Sequence, residues 1–115
     1  MNKEYLNRLK DYYNNQKGQK YPCSNQIVKC AVITRDREKA IKYMYEHCAV
    51  MIKNTYNRIE WLKDYNEEWV WMPWTESSRG YRFYKIIIDE DFDDKIFNEL
   101  ISPRLANYCC HIEIM

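Results

Sequence analysis

Two pairs of side chains in this sequence have the chemistry of metal ligands, or of a nucleophile with a neighbouring base. Cys109 and His111 are two residues apart in a run that alternates like a strand, so both lie on one face, and His47 and Cys48 are adjacent. Thiolate and imidazole are typical zinc ligands, but the sequence has no C-x-x-C pair and these spacings match no standard zinc module. We therefore expect no metal and no cofactor, with all five cysteines reduced and structural.

An acidic segment over residues 89–94 is the second candidate for metal binding. It contains five carboxylates, but it lacks the central glycine and the distal glutamate of an EF-hand loop. We interpret it as the solvated entry to a helix, or as a negative patch offered to a basic partner.

Catalysis requires a nucleophile or a general base beside a second catalytic group. His47 and His111 are the two histidines, and nothing in the sequence places either of them near such a group. The chain has only two glycines, which leaves no glycine-rich loop for a phosphate. We expect no enzyme and no catalytic residues, and keep a small enzyme of unknown reaction as the last alternative.

The length and composition favour one domain over residues 1–115, working in the cytoplasm. There is no secretion signal and no apolar run near the roughly 20 residues that cross a bilayer. Lys, Asn, Ile and Tyr are abundant, as in proteins from AT-rich genomes, so a low-GC bacterium or its phage is the expected source. Residues 1–58 carry twelve Lys and Arg against five acids, whereas residues 59–115 carry six against twelve, which predicts two faces of opposite charge or two halves that neutralise each other.

The first half of the chain predicts two helices around a buried strand. Residues 1–16 repeat apolar side chains at helical spacing, which predicts an amphipathic helix docked on the main fold or on a partner. Residues 27–34 are a β-branched, nearly continuous apolar run, typical of a central strand. From Thr34 or Asp36 the apolar positions recur by threes and fours, which predicts a helix as far as about residue 63.

The second half predicts strand, strand, helix and strand. Residues 67–72 alternate and are stopped by Pro73, which favours an edge strand, and residues 81–88 form a second central strand. Asp91 is the expected N-cap of a helix that buries Ile96, Phe97, Leu100 and Ile101, and residues 108–115 alternate as a final strand. The prediction for residues 27–115 is an α+β, ferredoxin-like βαββαβ sheet with the additional N-terminal helix.

One segment resembles a nucleic-acid-binding motif. The octamer Arg79-Gly80-Tyr81-Arg82-Phe83-Tyr84-Lys85-Ile86 resembles the RNP1 motif of RNA-recognition motifs, matching at Arg79, Gly80, Tyr81 and Phe83. The resemblance implies that Tyr81 and Phe83 stack on bases from the open face of the sheet, with Arg79 beside them. Single-stranded nucleic-acid binding is therefore the first alternative function.

Aromatic and basic residues suggest a protein-binding surface. Trp69, Trp71 and Trp74 lie on the expected edge strand and its connecting loop, and Arg79 and Arg82 follow. Tryptophan and arginine are enriched at binding hot spots, and an open strand edge can also pair with a second copy of the chain. We expect these five residues to contact a protein partner, and we keep a homodimer through an edge strand open.

The absence of a complete catalytic motif favours a non-enzymatic protein-binding module. Small size and AT-rich composition favour a phage or mobile-element inhibitor of a host defence enzyme or nucleoprotein complex, similar to anti-CRISPR proteins and acting in the bacterial host cytoplasm. The alternatives are the RRM-like binder and the small enzyme.

Overall fold

The computed structural model describes residues 3–14, 28–64, 66–75, 83–102 and 111–115. These residues form an α+β protein with a mixed six-stranded sheet and three helices. The helices are α1 (Lys3–Asn14), α2 (Arg37–His47) and α3 (Asp94–Ile96), which continues as a π-helical turn over Phe97–Ile101. The strands are β1 (Val28–Ile33), β2 (Val50–Thr55), β3 (Arg58–Asp64), β4 (Glu67–Trp71), β5 (Lys85–Ile88) and β6 (His111–Ile114).

The strand order across the sheet is β2-β3-β4-β1-β5-β6. Strands β4, β1, β5 and β6 are parallel to one another, and β3 is antiparallel to both of its neighbours, β2 and β4. The prediction that the apolar strands β1 and β5 are central is confirmed, since each has a parallel partner on both sides. Their near-continuous apolar sequences fit this position, because strands inside a parallel region are covered on both faces.

The prediction of one helix from residue 36 to about residue 63 is wrong. Helix α2 ends at His47, where the backbone N–H of Cys48 donates to the Met44 carbonyl at 2.8 Å, and residues 50–64 form the hairpin β2–β3 instead. Apolar residues after Cys48 recur by threes and fours, but burial in β3 alternates, with Ile59 and Trp61 buried and Arg58, Glu60 and Leu62 half-buried. Pairing with β4 satisfies the backbone hydrogen-bonding groups of β3. The segment therefore folds as a strand with alternating buried side chains, rather than as a helix.

The ferredoxin-like topology is also wrong, because the strand order differs. The extra hairpin reverses the chain twice before β4, so β4 runs parallel to β1 and lies between β3 and β1 rather than at an edge. The edges among the described strands are β2 and β6. Strands β5 and β6 are likewise parallel, with α3 between them along the chain.

Helices cover both faces of the sheet. Helix α2 begins at the N-cap Asp36, whose carboxylate accepts from the Lys39 backbone N–H at 3.2 Å, and it buries Ala40 and Met44, four residues apart. On the opposite face α1 inserts Leu6, and the α3 segment inserts Phe97, into the larger core cluster. Of the two sites expected for the N-terminal helix, the main fold or a partner, the structure shows the main fold.

Two local details of the last helix differ from expectation. Its N-cap is Asp93, which accepts from the backbone N–H groups of Lys95 and Ile96 at 2.8 and 3.0 Å, rather than Asp91. The predicted apolar stripe is correct at Phe97, Leu100 and Ile101, which are buried, while Ile96 is half-buried.

None of the helices in the described ranges is long and apolar enough to cross a membrane.

Candidate functional site

The three tryptophans expected at the surface, Trp69, Trp71 and Trp74, are buried. Each indole N–H donates inside the protein, from Trp69 to the Glu67 carboxylate at 3.2 Å and from the other two to backbone carbonyls at 2.8 and 3.0 Å. The expectation of exposed rings is wrong, because β4 is an internal strand whose two faces are both covered. These rings offer no contact surface in this fold.

The structure contradicts part of what the RNP1-like segment implies for base stacking. Phe83 is buried, with its ring edge-to-face against Trp74 at 5.8 Å between centroids, so it is not open to a base. Arg79, Tyr81 and Arg82 lie outside the described residues, and their roles stay predictions. The RRM-like topology itself is absent, since β1 is flanked by two parallel strands.

Strand β2 is exposed along its whole length. All six residues are exposed, and Val50, Met51 and Ile52 leave 56, 50 and 50% of their areas open to solvent. Tyr56, in the turn that follows, is 82% exposed. Among the described strands β2 pairs only with β3, so its outer edge presents backbone N–H and C=O groups. Exposed apolar side chains on an open edge strand can mark a protein-binding surface.

A tyrosine on α2 extends this apolar surface. Tyr45 is 73% exposed and packs edge-to-face on the Trp61 ring, with 6.2 Å between centroids. Met51 is the cross-strand partner of the same Trp61. We call the set of exposed side chains the hairpin surface; it consists of Tyr45, Val50, Met51, Ile52 and Tyr56.

The hairpin is fixed to the first turn of α2. The Arg37 guanidinium donates to the Asn54 side-chain oxygen at 2.6 Å and to the Thr55 carbonyl at 3.1 Å. The Thr55 hydroxyl also donates to the Arg58 carbonyl across the turn at 3.1 Å. These bonds order the hairpin before any partner arrives, which reduces the entropy lost on binding.

The cysteine and histidine candidates do not form a reactive site in the described part of the chain. Burial raises the pKa of the Cys30 thiol well above its usual value and that of Cys48 to about 12, so both are protonated at neutral pH and poor nucleophiles. His47 stacks on the Tyr43 ring at 4.1 Å and donates from Nδ1 to the Tyr43 carbonyl at 2.8 Å. No group of three or more His, Cys, Asp and Glu side chains within the described ranges is arranged to hold a metal ion. Cys109 lies outside those ranges.

Lys85 forms a buried ionic network at the start of the parallel strands. Its side chain is 7% exposed, and its Nζ lies 3.5 Å from Glu67 Oε1 and 3.6 Å from Glu113 Oε1. It also lies 5.5 Å from the centroid of the Trp69 ring. Burial by itself would raise the pKa of Glu113, but Lys85 and His111 outweigh it and hold this pKa below its usual value. The network joins β4, β5 and β6, so we interpret it as structural.

A second buried network lies at the carboxyl ends of β1 and β5. The Asp89 carboxylate accepts from Lys39 Nζ at 2.8 Å, from the Thr34 hydroxyl at 2.9 Å and from the Asp91 backbone N–H at 3.1 Å. Open α/β sheets often bind ligands at this position. Here the carboxylate is already held by three donors, so it links β1, α2 and β5 rather than facing a ligand.

The Asp89 network predicts a pH-dependent contribution to stability. Burial by itself would raise the pKa of Asp89, but the three hydrogen bonds and the Lys39 charge outweigh it and hold this pKa below the ordinary 3.8. Its stabilisation is therefore fully present above pH 3.8 and is lost as pH falls through the lower, folded-state pKa. We expect Asp89→Asn to lower the free energy of unfolding at pH 7 by about 1.5 to 3 kcal/mol, the range for a hydrogen bond to a charged group.

Urea denaturation of wild type and variant between pH 7 and pH 2 measures this difference. It should shrink as the pH falls below 3.8. Asp91→Asn is the matched control, since it makes the same chemical change at an exposed position two residues away, and it should change stability little. A difference for Asp89→Asn that is constant over the whole pH range would contradict the assignment.

The hairpin surface was missed by the sequence interpretation, although the sequence contains a signal for it. Val50 and Ile52 are β-branched, and Asn57 follows Tyr56 at the turn, before the alternating residues of β3. These features indicate a hairpin once the helical spacing is set aside. What the sequence does not show is that β2 has a neighbour on only one side among the strands that the structure describes.

Comparison with models of protein families gives no match, and neither do searches among curated proteins and solved structures.

Proposed function

We propose that this protein is a non-enzymatic protein-binding module that contacts its partner through the hairpin surface. The observation that carries the proposal is β2 itself, an edge strand with six consecutive exposed residues, three of them apolar and at least half exposed. Tyr45 and Tyr56 add rings of a type enriched at binding hot spots.

The arrangement of the hairpin supports this proposal over simple exposure of a loop. Arg37 connects the end of the hairpin to α2 by hydrogen bonds, and the Tyr45 ring packs edge-to-face on Trp61. Hot-spot side chains act best when they are held rigidly and can be fully desolvated by the partner. The hairpin surface is therefore proposed as the contact surface in place of Trp69, Trp71 and Trp74, which the sequence had suggested.

For the partner, we keep the class that the sequence favours. The protein is proposed to be a small phage or mobile-element inhibitor of a host defence enzyme or nucleoprotein complex, comparable in role to anti-CRISPR proteins. Its AT-rich amino-acid usage supports this source. The proposed site of action is the host cytoplasm.

Charged substitutions on β2 test the contact surface. We expect Met51→Asp combined with Ile52→Asp to weaken partner capture roughly 30-fold, since a hot-spot loss is about 2 kcal/mol. Both residues are half exposed, so the fold should tolerate the change. The measurement is capture of proteins from a nuclease-treated lysate of the host by the immobilised chain, followed by titration of the captured protein.

A matched control separates the surface from a general effect of added charge. Tyr12 is 62% exposed on α1, which contacts β6 at the opposite edge of the sheet, so Tyr12→Asp should leave capture unchanged. Equal capture by wild type and the β2 double variant would refute the proposed surface. Capture that disappears after nuclease treatment would favour a nucleic-acid function instead.

A further inference from the structure

No described strand pairs with the outer edge of β2. In an antiparallel ladder, alternate residues direct their backbone N–H and C=O groups away from the existing partner. Proteins usually protect such edges with proline, charge, bulges or short strands. Strand β2 spans six residues without a proline, and its protection consists of Lys53 and a bulge at Ile52, where the pairing with β3 shifts register.

This partial protection disfavours a second copy of the chain as the occupant. If two β2 strands paired antiparallel with full overlap, Ile52 of one copy would lie opposite Lys53 of the other. Both bulges and both lysines would then meet at the centre of the interface. Two like charges at adjacent pairs destabilise the ladder, and a bulge interrupts its hydrogen bonds.

The charge around the hairpin favours an acidic occupant. Lys53 is the one charged residue of β2, and the whole hairpin over residues 50–64 contains three Lys and Arg and two Asp and Glu, a net charge of +1. Lys53 is exposed on β2 and forms no ion pair with any described residue, although Glu60 is its cross-strand partner. A cation at the open edge that lacks a carboxylate within the described structure is complementary to a carboxylate on the incoming strand.

We propose that β2 recruits an extended acidic segment of the partner protein, which adds to the sheet as a seventh strand beside Lys53. This inference rests on the proposed function and specifies its binding mode. Backbone pairing with β2 supplies affinity, and the apolar side chains at Val50 and Met51 contact alternate side chains of the segment. Lys53 selects acidic over basic sequences.

Two synthetic peptides test the proposal directly. Both are blocked octapeptides, one alternating Val with Glu and the other alternating Val with Lys. Fluorescence anisotropy with the full chain at low salt should show at least tenfold tighter binding of the Glu peptide. A Glu peptide that is N-methylated at alternate residues should lose binding at least tenfold, because it cannot donate to the edge.

Charge reversal tests the role of Lys53. The Lys53→Glu variant should reverse the preference and bind the Lys peptide more tightly. Lys95→Glu is the matched control, since it reverses an exposed lysine on α3, and it should keep the preference for the Glu peptide. Equal affinity for both peptides, absence of binding at millimolar peptide, or an unchanged preference in Lys53→Glu would each overturn the proposal.

Two further measurements separate this inference from the proposed function. The Glu peptide should compete with the captured partner for the chain. If capture depends on Met51 and Ile52 but the peptide does not compete, strand addition is wrong and the binding surface stands. If capture is unaffected by the β2 double variant, both fail. If sedimentation finds a dimer that Met51→Asp dissociates, the occupant is a second copy and the acidic segment is refuted.

Discussion

Replacing Trp74 by alanine is expected to lower the free energy of unfolding by about 3 to 5 kcal/mol, the range for removing a large aromatic side chain from a core. The Trp74 ring is fully buried and meets Phe83 edge-to-face. Its indole N–H also donates to the Val32 carbonyl at 3.0 Å, which links the segment after β4 to the central strand β1. Urea denaturation followed by circular dichroism measures the change.

The variant Trp74→Phe distinguishes the lost volume from the lost hydrogen bond. It keeps an aromatic ring but removes the donor to Val32, so we expect a loss of about 1 to 2 kcal/mol, smaller than that for alanine. A Trp74→Ala protein with an unchanged urea midpoint would contradict the burial of this ring and restore Trp74 as a candidate contact residue. Any loss of partner capture in Trp74→Ala must be judged at a temperature where the variant is folded.

Replacing Lys85 by methionine is expected to cost about 3 kcal/mol, at the lower end of the range for removing one partner from a buried ion pair. The loss leaves the carboxylates of Glu67 and Glu113 without the buried cation between them. Their side chains are 16 and 40% exposed, so solvent reduces the cost below that of a fully buried pair. Urea denaturation at pH 7 gives the value.

Lys63 provides the matched control for this prediction. Its Nζ also lies 5.5 Å from the Trp69 ring centroid and 3.9 Å from a Glu67 oxygen, but its side chain is 38% exposed. Lys63→Met should therefore cost less than about 1 kcal/mol, as usual for exposed pairs. Adding Glu67→Gln to Lys85→Met should recover part of the loss. Equal losses in the free energy of unfolding for Lys63→Met and Lys85→Met would show that burial of the ion pairs does not determine their contribution to stability.

Local patterns in the sequence were enough to predict several elements. The apolar run of β1 predicted a strand covered on both faces, and the structure confirms this, because its alternating side chains enter both core clusters. Asp36 is one of the two caps expected for α2, and Trp69 and Trp71 do share one face of β4. Each of these features depends on residues a few positions apart, so the periodicity of the chain carries the information.

The candidate site was not predictable in the same way, because exposure depends on distant segments. Trp69, Trp71 and Trp74 have the composition of a binding surface, but the neighbours of β4 bury them. Val50, Met51 and Ile52 have the composition of a core, but β2 lies at an edge that no described strand or helix covers. The apolar composition of the two segments does not indicate which of them is buried in the fold.

The residue pattern alone predicts that β1 and β5 are central strands and that the acidic segment leads into a helix. Contacts between distant segments fix the direction of β4, the hairpin at residues 50–64, and the bonding of Asp89 to Lys39, fifty positions apart. The physical reason is that spacing by threes and fours in residues 50–62 is compatible with a helix and with a hairpin. Backbone pairing between β3 and β4, available only in the folded sheet, stabilises the hairpin and leaves β2 exposed at its edge.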